Sequence, residues 1–242
     1  MKTRDWIATD LDGTLFSREF AVEGAIPATW KKDAAGDVPS SWVHPATYRL
    51  MRALGECFDL VPVTARDLDS YSRVKIEGLT FRGAVLANGA IIIDPDGNID
   101  ESWNDVMGGV LESVAPELQT VCRQVAEQSR GLARARLVAS GTEHAAYLVA
   151  KADEAWWGTP EGVHLLQTLE VSTCRAALLK NELQVLPPGV SKSIGLAAYQ
   201  QRYGMGNPPL MGLGDMPTDM EFMRECSFLG IPSGSRLEQS FV

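Results

Sequence analysis

The chain has 242 residues, 45% of them hydrophobic, with 22 Lys and Arg against 31 Asp and Glu and a formal net charge of -9. That length and composition allow one sizeable core, or one core with a modest second domain. Neither a nucleic-acid backbone nor an anionic membrane surface is expected as a partner, because both need clustered Lys and Arg and no basic run appears. The cysteines, Cys57, Cys122, Cys174 and Cys226, lack Cys-x-x-Cys spacing and fit reduced thiols, so a cytoplasmic setting is expected. The first residues lead into a strand without an apolar leader, and no run approaches the ~20 apolar residues of a membrane span.

In chain order, Trp6, Ile7 and Ala8 read as a buried strand followed at once by Asp10-Leu11-Asp12-Gly13-Thr14. In an open α/β sheet ligands collect beyond the carboxyl ends of strands. Residues two apart on an extended segment point the same way, so Asp10 and Asp12 are expected to face one pocket while Leu11 turns into the core. Two like charges this close call for a cation. Residues 16–43 form a long connection carrying Trp30, Trp42, Pro27 and Pro39, read as a functional loop over the site mouth. The pattern then predicts a helix over 45–58, a strand over 60–64, a helix over 67–77 and a strand over 83–87 that runs into Asn88-Gly89. This alternation implies a parallel sheet with helices on both faces.

Residues 91–99 look like a hairpin, which departs from the alternation and suggests that a second module begins there. A helix over 107–130, strands over 134–140 and 145–151, a helix from 153 to about 169, and strands over 173–179 and 182–186 follow. Helix, strand, strand, repeated once, describes an antiparallel sheet covered by two helices. Pro187-Pro188-Gly189 marks the return. Ser191 is a good N-cap for a helix that starts with Lys192 in its first turn and stops at Gly204. A strand over 211–214 precedes Thr218-Asp219-Met220-Glu221, which has capping-box form.

Four stretches stand in order: DLDGTL at 10–15, VPVTAR at 61–66, PPGVSKSIGL at 187–196 and GLGDMPTD at 212–219. Together they resemble the four signatures of the haloacid dehalogenase superfamily, whose members are mostly Mg-dependent phosphatases. The resemblance implies an α/β fold, a Rossmann-like doubly wound parallel core sheet over 1–88 and 187–242. Into it an α+β cap over 89–186 is inserted, of the C2B type shared by Cof-like sugar phosphatases and eukaryotic phosphomannomutases. It also implies roles. Asp10 is the nucleophile that becomes an aspartyl phosphate, and Asp12 is the general acid and base, its carboxyl left free because only its backbone carbonyl ligates Mg²⁺. Asp10 and Asp215 are further Mg²⁺ ligands, and Asp219 serves the metal directly or through its ligands.

The chemistry of the residues is consistent with these roles. Phosphoryl transfer needs a nucleophile, an acid for the leaving oxygen and positive charge around the transferring group. Thr64 offers a hydroxyl and Lys192 an ammonium for the phosphoryl oxygens, and Lys192 also neutralises Asp10. Gly13 and Thr14 are expected to give backbone amides to the phosphate. Arg66 is expected to fork onto a second anionic group or sugar oxygens, with Asn88 and Gly89 lining the approach to the cap. Mg²⁺ prefers such oxygen ligands. Where Cof-type relatives have Asn-Asp, this chain has Thr218-Asp219. His44, His144 and His164 show no ligand spacing, and no Gly-x-Ser-x-Gly elbow is present. The expected activity is Mg-dependent hydrolysis of a small phosphate monoester, a sugar phosphate or related metabolite. The alternatives are a phosphomutase of the phosphomannomutase type and a non-catalytic metabolite-binding protein.

Overall fold

The computed structural model describes residues 4–34, 36–204 and 206–241. The chain divides into two compact units, Met1–Asp100 with Lys192–Val242, and Glu101–Ser191.

The first unit opens with β1 (Trp6–Thr9), fully buried, and continues into a hairpin of β2 (Ile26–Asp33) and β3 (Gly36–Val43). Helix α1 (Pro45–Cys57) begins where His44 Nδ1 accepts the Ala46 N–H at 3.2 Å and Pro45 supplies a helical φ. Its end is tied to the start of β1, because the Arg4 guanidinium donates to the Gly55, Glu56 and Cys57 carbonyls that the helix leaves unpaired. Next come β4 (Asp59–Pro62), α2 (Leu68–Ser72), β5 (Ala84–Leu86) and β6 (Ile91–Ile93).

The second unit holds α3 (Glu101–Gln128), β7 (Arg134–Ala139), β8 (Ala145–Lys151), α4 (Glu154–Trp157), α5 (Pro160–Thr168), β9 (Arg175–Leu179) and β10 (Glu182–Leu186). The first unit then resumes with α6 (Lys192–Tyr203), β11 (Met211–Leu213), α7 (Met220–Met223), β12 (Phe228–Gly230) and α8 (Arg236–Gln239).

Strands of the first unit lie in the order β12-β11-β1-β4, all parallel, with Ile7 level with both Met211 and Leu60. Parallel bridges Leu60 to Phe81 and Val63 to Val85 place β5 beside β4, and β6 then runs antiparallel to β5. The carboxyl ends of β1, β4 and β11 therefore share one edge, and β1 has neighbours from both directions of the winding. That is the topological position where open α/β sheets build sites. Ile7, Leu11, Leu15, Phe16, Met51 and Leu60 form the core on one side of the sheet. Each fully buried side chain of this size contributes about 1.5–3 kcal/mol relative to exposure.

In the second unit the sheet order is β7-β8-β10-β9, antiparallel throughout. Helix α3 buries Trp103, Met107, Leu111, Val114, Leu118, Val121 and Val125, spaced three or four apart, and its Val114 to Val125 part packs with Leu148, Ala150, Leu183 and Val185. Among the described residues no helix is long and apolar enough to cross a membrane. All four cysteines are free thiols.

Several expectations need correction. Residues 16–43 are not an irregular loop, since 26–43 form a hairpin whose Ala28 and Val43 join the core. The predicted helix over 67–77 stops at Ser72 because the backbone beyond it pairs with β2: Trp30 N–H donates to Arg73 O at 3.1 Å, and Lys75 N–H to Ala28 O at 2.8 Å. The helix expected from 153 to 169 breaks in two, each part with its own cap, Asp153 and Thr159, and Pro160 opening the second. Residues 91–93, read as the start of the second module at 89, pair with β5 inside the first unit, and the division falls at Asp100 and Glu101. Thr218 lies within a 3₁₀ turn over Pro217–Asp219 and does not cap α7.

Candidate active site

The site is built on the shared sheet edge. The Asp10 amide donates to Leu213 O at 2.8 Å, which sets the end of β1 against the end of β11 and brings Asp10 next to the Gly214-Asp215 turn. Lys192, the first residue of α6, donates from Nζ to Asp10 Oδ1 at 2.6 Å and to Asp219 Oδ1 at 2.7 Å. The Thr14 hydroxyl lies 3.2 Å from Asp10 Oδ2 and 3.0 Å from Asp215 Oδ1, so its single proton is shared between the two carboxylates. Asp219 reaches back with Oδ2 to accept the Asp215 and Met216 amides at 3.1 and 2.9 Å, which fixes the acidic turn.

Carboxylate oxygens of Asp10, Asp215 and Asp219 all lie within 4.8 Å of one another. One ammonium thus faces three carboxylates in a site where Asp10 is 5% and Asp219 1% exposed. Burial pushes the Asp10 carboxyl up to about 7; Lys192 opposes this, while Asp219 and Asp215 add to it. Burial and Asp219 likewise raise Asp215. Lys192 moves up as well: burial opposes its charge, but Asp10 and Asp219 outweigh burial and keep it protonated. An all-oxygen set with uncompensated negative charge fits a hard divalent cation such as Mg²⁺.

Gly13 is required by contact: at φ +90° its Cβ position would lie 2.3 Å from Asp215 Oδ2, so any side chain there would displace the carboxylate. Its amide, expected on a phosphate, instead donates to Phe16 O at 2.9 Å. Thr14 enters through its hydroxyl.

Asp12 departs most from expectation. Its carboxyl does not stand beside that of Asp10 and is not among the clustered carboxylates; it lies in a fork formed by Arg66, Nε to Oδ2 at 2.6 Å and Nη2 to Oδ1 at 2.7 Å. The reason is the backbone: β1 ends at Thr9 and the chain turns through Gly13, with Leu15 and Phe16 N–H both donating to Leu11 O. Leu11 is fully buried, as expected. Arg66 consequently holds an acid of the chain itself.

Thr64 is buried at the end of the β4 segment, and its hydroxyl oxygen accepts the Arg66 N–H at 3.2 Å, leaving the hydroxyl proton to donate elsewhere. Asn88 donates its amide to Thr64 O at 3.1 Å. Ala87 and Asn88 have φ of 49° and 54°, a left-handed pair that costs roughly 1–2 kcal/mol per residue and is held by burial on all sides. Gly89 follows at φ 95° and packs so closely on α6 that a Cβ on Gly195 would lie 2.4 Å from its Cα. The loop that carries Asn88 is therefore fixed against the helix that carries Lys192.

Asp10, Thr14, Lys192, Asp215 and Asp219 come together, and Asp12, Thr64 and Arg66 form a second group linked to them through the turn. Sequence reading missed Phe16, whose ring lies 5.2 Å from the Arg66 guanidinium carbon, and Ser70, whose carbonyl accepts from Arg66 Nη1 at 2.9 Å. Phe16 could have been flagged as the first apolar residue after the motif; Ser70 acts through its backbone and leaves no residue-type signal.

No family model matches the sequence, and no curated protein matches it. Solved structures do. A structure of the HAD subclass IIB sugar phosphatase BT4131 superposes with a TM-score of 0.60 at 14% identity, covering 98% of this chain and 90% of that one. The sucrose-phosphatase from Synechocystis sp. PCC6803, in complex with sucrose and phosphate, gives 0.53 at 17% identity, covering 99% and 87%. A haloacid dehalogenase-like hydrolase from B. subtilis gives 0.51 at 15% identity, covering 98% and 92%. The chain shares the fold of these haloacid dehalogenase-type phosphatases, an α/β core with a parallel sheet and an inserted cap domain.

Proposed function

We propose that this chain is a metal-dependent phosphoric monoester hydrolase that works through an aspartyl phosphate on Asp10, with a small phosphorylated metabolite, a sugar phosphate or a close relative, as substrate. The observation that carries the reading is the buried convergence of Asp10, Asp215 and Asp219 on one lysine at the carboxyl edge of a parallel sheet. Three carboxylates against one ammonium are costly unless a further cation is present, and costly charge arrangements mark sites of chemistry. A Mg²⁺ ion held by Asp10, Asp215 and Asp219 would supply the missing positive charge.

In this reading an Asp10 oxygen attacks phosphorus, the ester P–O bond breaks, and a proton from Asp12 passes to the leaving oxygen. Water then attacks the phosphorus of the acyl phosphate and gives a proton back to Asp12, the P–O bond to Asp10 breaks, inorganic phosphate leaves and the Asp10 carboxylate is restored. Lys192 and the Thr64 hydroxyl hold the phosphoryl oxygens, and Thr14 fixes the Asp10 carboxyl. The Glu101–Ser191 unit is read as the cap domain that the resemblance implies. The neighbours named for sugar phosphates support the substrate class, as do an acidic chain without basic runs and a site whose positive charge is confined to a few residues.

The test is phosphate release from a panel of sugar, nucleotide and small-acid phosphates, with Mg²⁺ and with EDTA. Release that needs Mg²⁺ and ranks sugar phosphates first is expected. Release that persists in EDTA, or none from any ester, would overturn the reading.

A further inference from the structure

We propose that Arg66 is a positioning residue that fixes the orientation of the Asp12 carboxyl; the inference rests on the hydrolase reading above. Every nitrogen of its guanidinium is engaged. Nε and Nη2 take both oxygens of Asp12 at 2.6 and 2.7 Å, and Nη1 donates to Ser70 O at 2.9 Å. The Phe16 ring lies 5.2 Å from its central carbon, within cation–π range. The main chain of Arg66 is pinned on both sides, its N–H on Thr64 Oγ1 at 3.2 Å and its carbonyl accepting the Ala87 N–H at 2.7 Å.

The two partners differ in freedom. The Arg66 side chain is 19% exposed, whereas that of Asp12 is 55% exposed on a turn. An exposed aspartate on a turn samples several rotamers unless something holds it. The fork supplies that restraint with the bidentate geometry that only arginine offers. It also reaches further than its own strand. Ser70 sits in α2, and the segment after α2 is paired to the β2–β3 hairpin, with Thr29 bridged to Val74. The hairpin at 26–43 thereby braces the backbone from which Arg66 is held, which gives the insertion a role in the geometry of the site.

A residue that acts through Asp12 has a distinct kinetic signature. Cleavage of an alkyl phosphate releases a basic alkoxide oxygen that needs the Asp12 proton as the P–O bond breaks. Cleavage of p-nitrophenyl phosphate releases a stable phenolate that does not. The specificity constant kcat/KM covers only the steps through Asp10 phosphorylation, so later hydrolysis of the acyl phosphate does not enter it.

The experiment compares kcat/KM for p-nitrophenyl phosphate and for the best alkyl phosphate of the panel in the wild type, Arg66→Gln and Arg66→Lys. Arg66→Gln is expected to lower the alkyl-to-aryl ratio about 10- to 100-fold, part of the ~10²–10⁴-fold that a positioned proton donor contributes. Arg66→Lys, which keeps the charge without the fork, is expected to recover only part of that ratio. A lowered folded fraction scales both esters equally, so the ratio is read whatever the variant does to stability. An unchanged ratio, with either equal losses or none, would overturn the positioning role while leaving the hydrolase reading in place. Absence of release by the wild type from any ester would overturn that reading and this inference with it.

Discussion

Asp10 and Glu117, one in each unit, are carboxylates held by several hydrogen bonds, yet their surroundings push them in opposite directions. Asp10 is buried among Asp215 and Asp219, and its carboxyl is raised to about 7 although Lys192 binds it. Glu117, on α3, accepts the Ser172 N–H at 2.9 Å, the Ser172 hydroxyl at 2.9 Å, the Thr173 N–H at 3.0 Å and the Cys174 N–H at 2.9 Å. Burial pushes Glu117 up, but these donors together outweigh it and hold the carboxyl at about 2. Neutral donors aimed at a carboxylate stabilise a charge in place; carboxylates gathered around one lysine leave a charge deficit that a ligand can fill. The first arrangement ties the start of β9 to α3. The second is poised for chemistry.

The contrast is sharpest for substitutions that remove charge while keeping shape. Asp10→Asn should abolish phosphate release, by roughly 10⁴-fold or more as expected for a lost nucleophile, while its folding free energy falls little because a like charge leaves the cluster. Phosphate-release kinetics beside urea unfolding would check both halves. Lys192→Met strands three carboxylates and should cost about 3–5 kcal/mol of unfolding free energy, read from the same urea curves. If Lys192→Met proved neutral, the charge deficit at the site would be smaller than the geometry indicates.

A divalent cation should act on one region only. Mg²⁺ at about 100 times its Kd should stabilise the protein by about 2.7 kcal/mol, and Asp215→Asn should remove most of that gain. Thermal melting with Mg²⁺ or EDTA reads both. Equal stabilisation of Asp215→Asn would place the ion elsewhere.

At the other pole, Glu117→Gln should cost ~1–3 kcal/mol through mismatched donors. The sign of its pH dependence is fixed: a carboxyl whose folded pKa is lowered adds stability above its unfolded value and loses it as pH falls toward the folded one. The difference between wild type and Glu117→Gln should therefore be full above 4.5 and close as pH drops toward about 2. Melting temperatures of the pair across that window test it. A gap that widened toward acid would break the comparison.

Much of this arrangement was legible in the sequence because period and punctuation carried it. The run Trp6 to Ala8, the spacing of α3 and the helix-strand-strand repeat all appear where hydrophobic periodicity predicts them. The convergence of Asp10, Lys192 and Asp215 is what the resemblance of the four ordered motifs implied, and the structure brings the three together with Lys192 at the start of α6. What escaped depends on contacts between distant segments. The hairpin hides in sequence because Pro27 and Pro39 interrupt its alternation; each is tolerated within a two-stranded ribbon whose register shifts between Pro27 and Thr29 and again before Trp30. The helix after Asp67 has the right composition to continue but yields its backbone to β2. Asp12 was placed beside Asp10 by strand geometry that ends one residue earlier, and no local pattern announces that Arg66 receives it.

The central claim is that Asp10 takes up the phosphoryl group. Its most direct test is to quench the enzyme during turnover of its best ester, reduce it with borohydride, and map the modified residue by mass spectrometry. The account predicts modification at Asp10, dependent on Mg²⁺ and absent in Asp10→Asn. Steady turnover with an unmodified Asp10, or with the phosphoryl group on another residue, would contradict it.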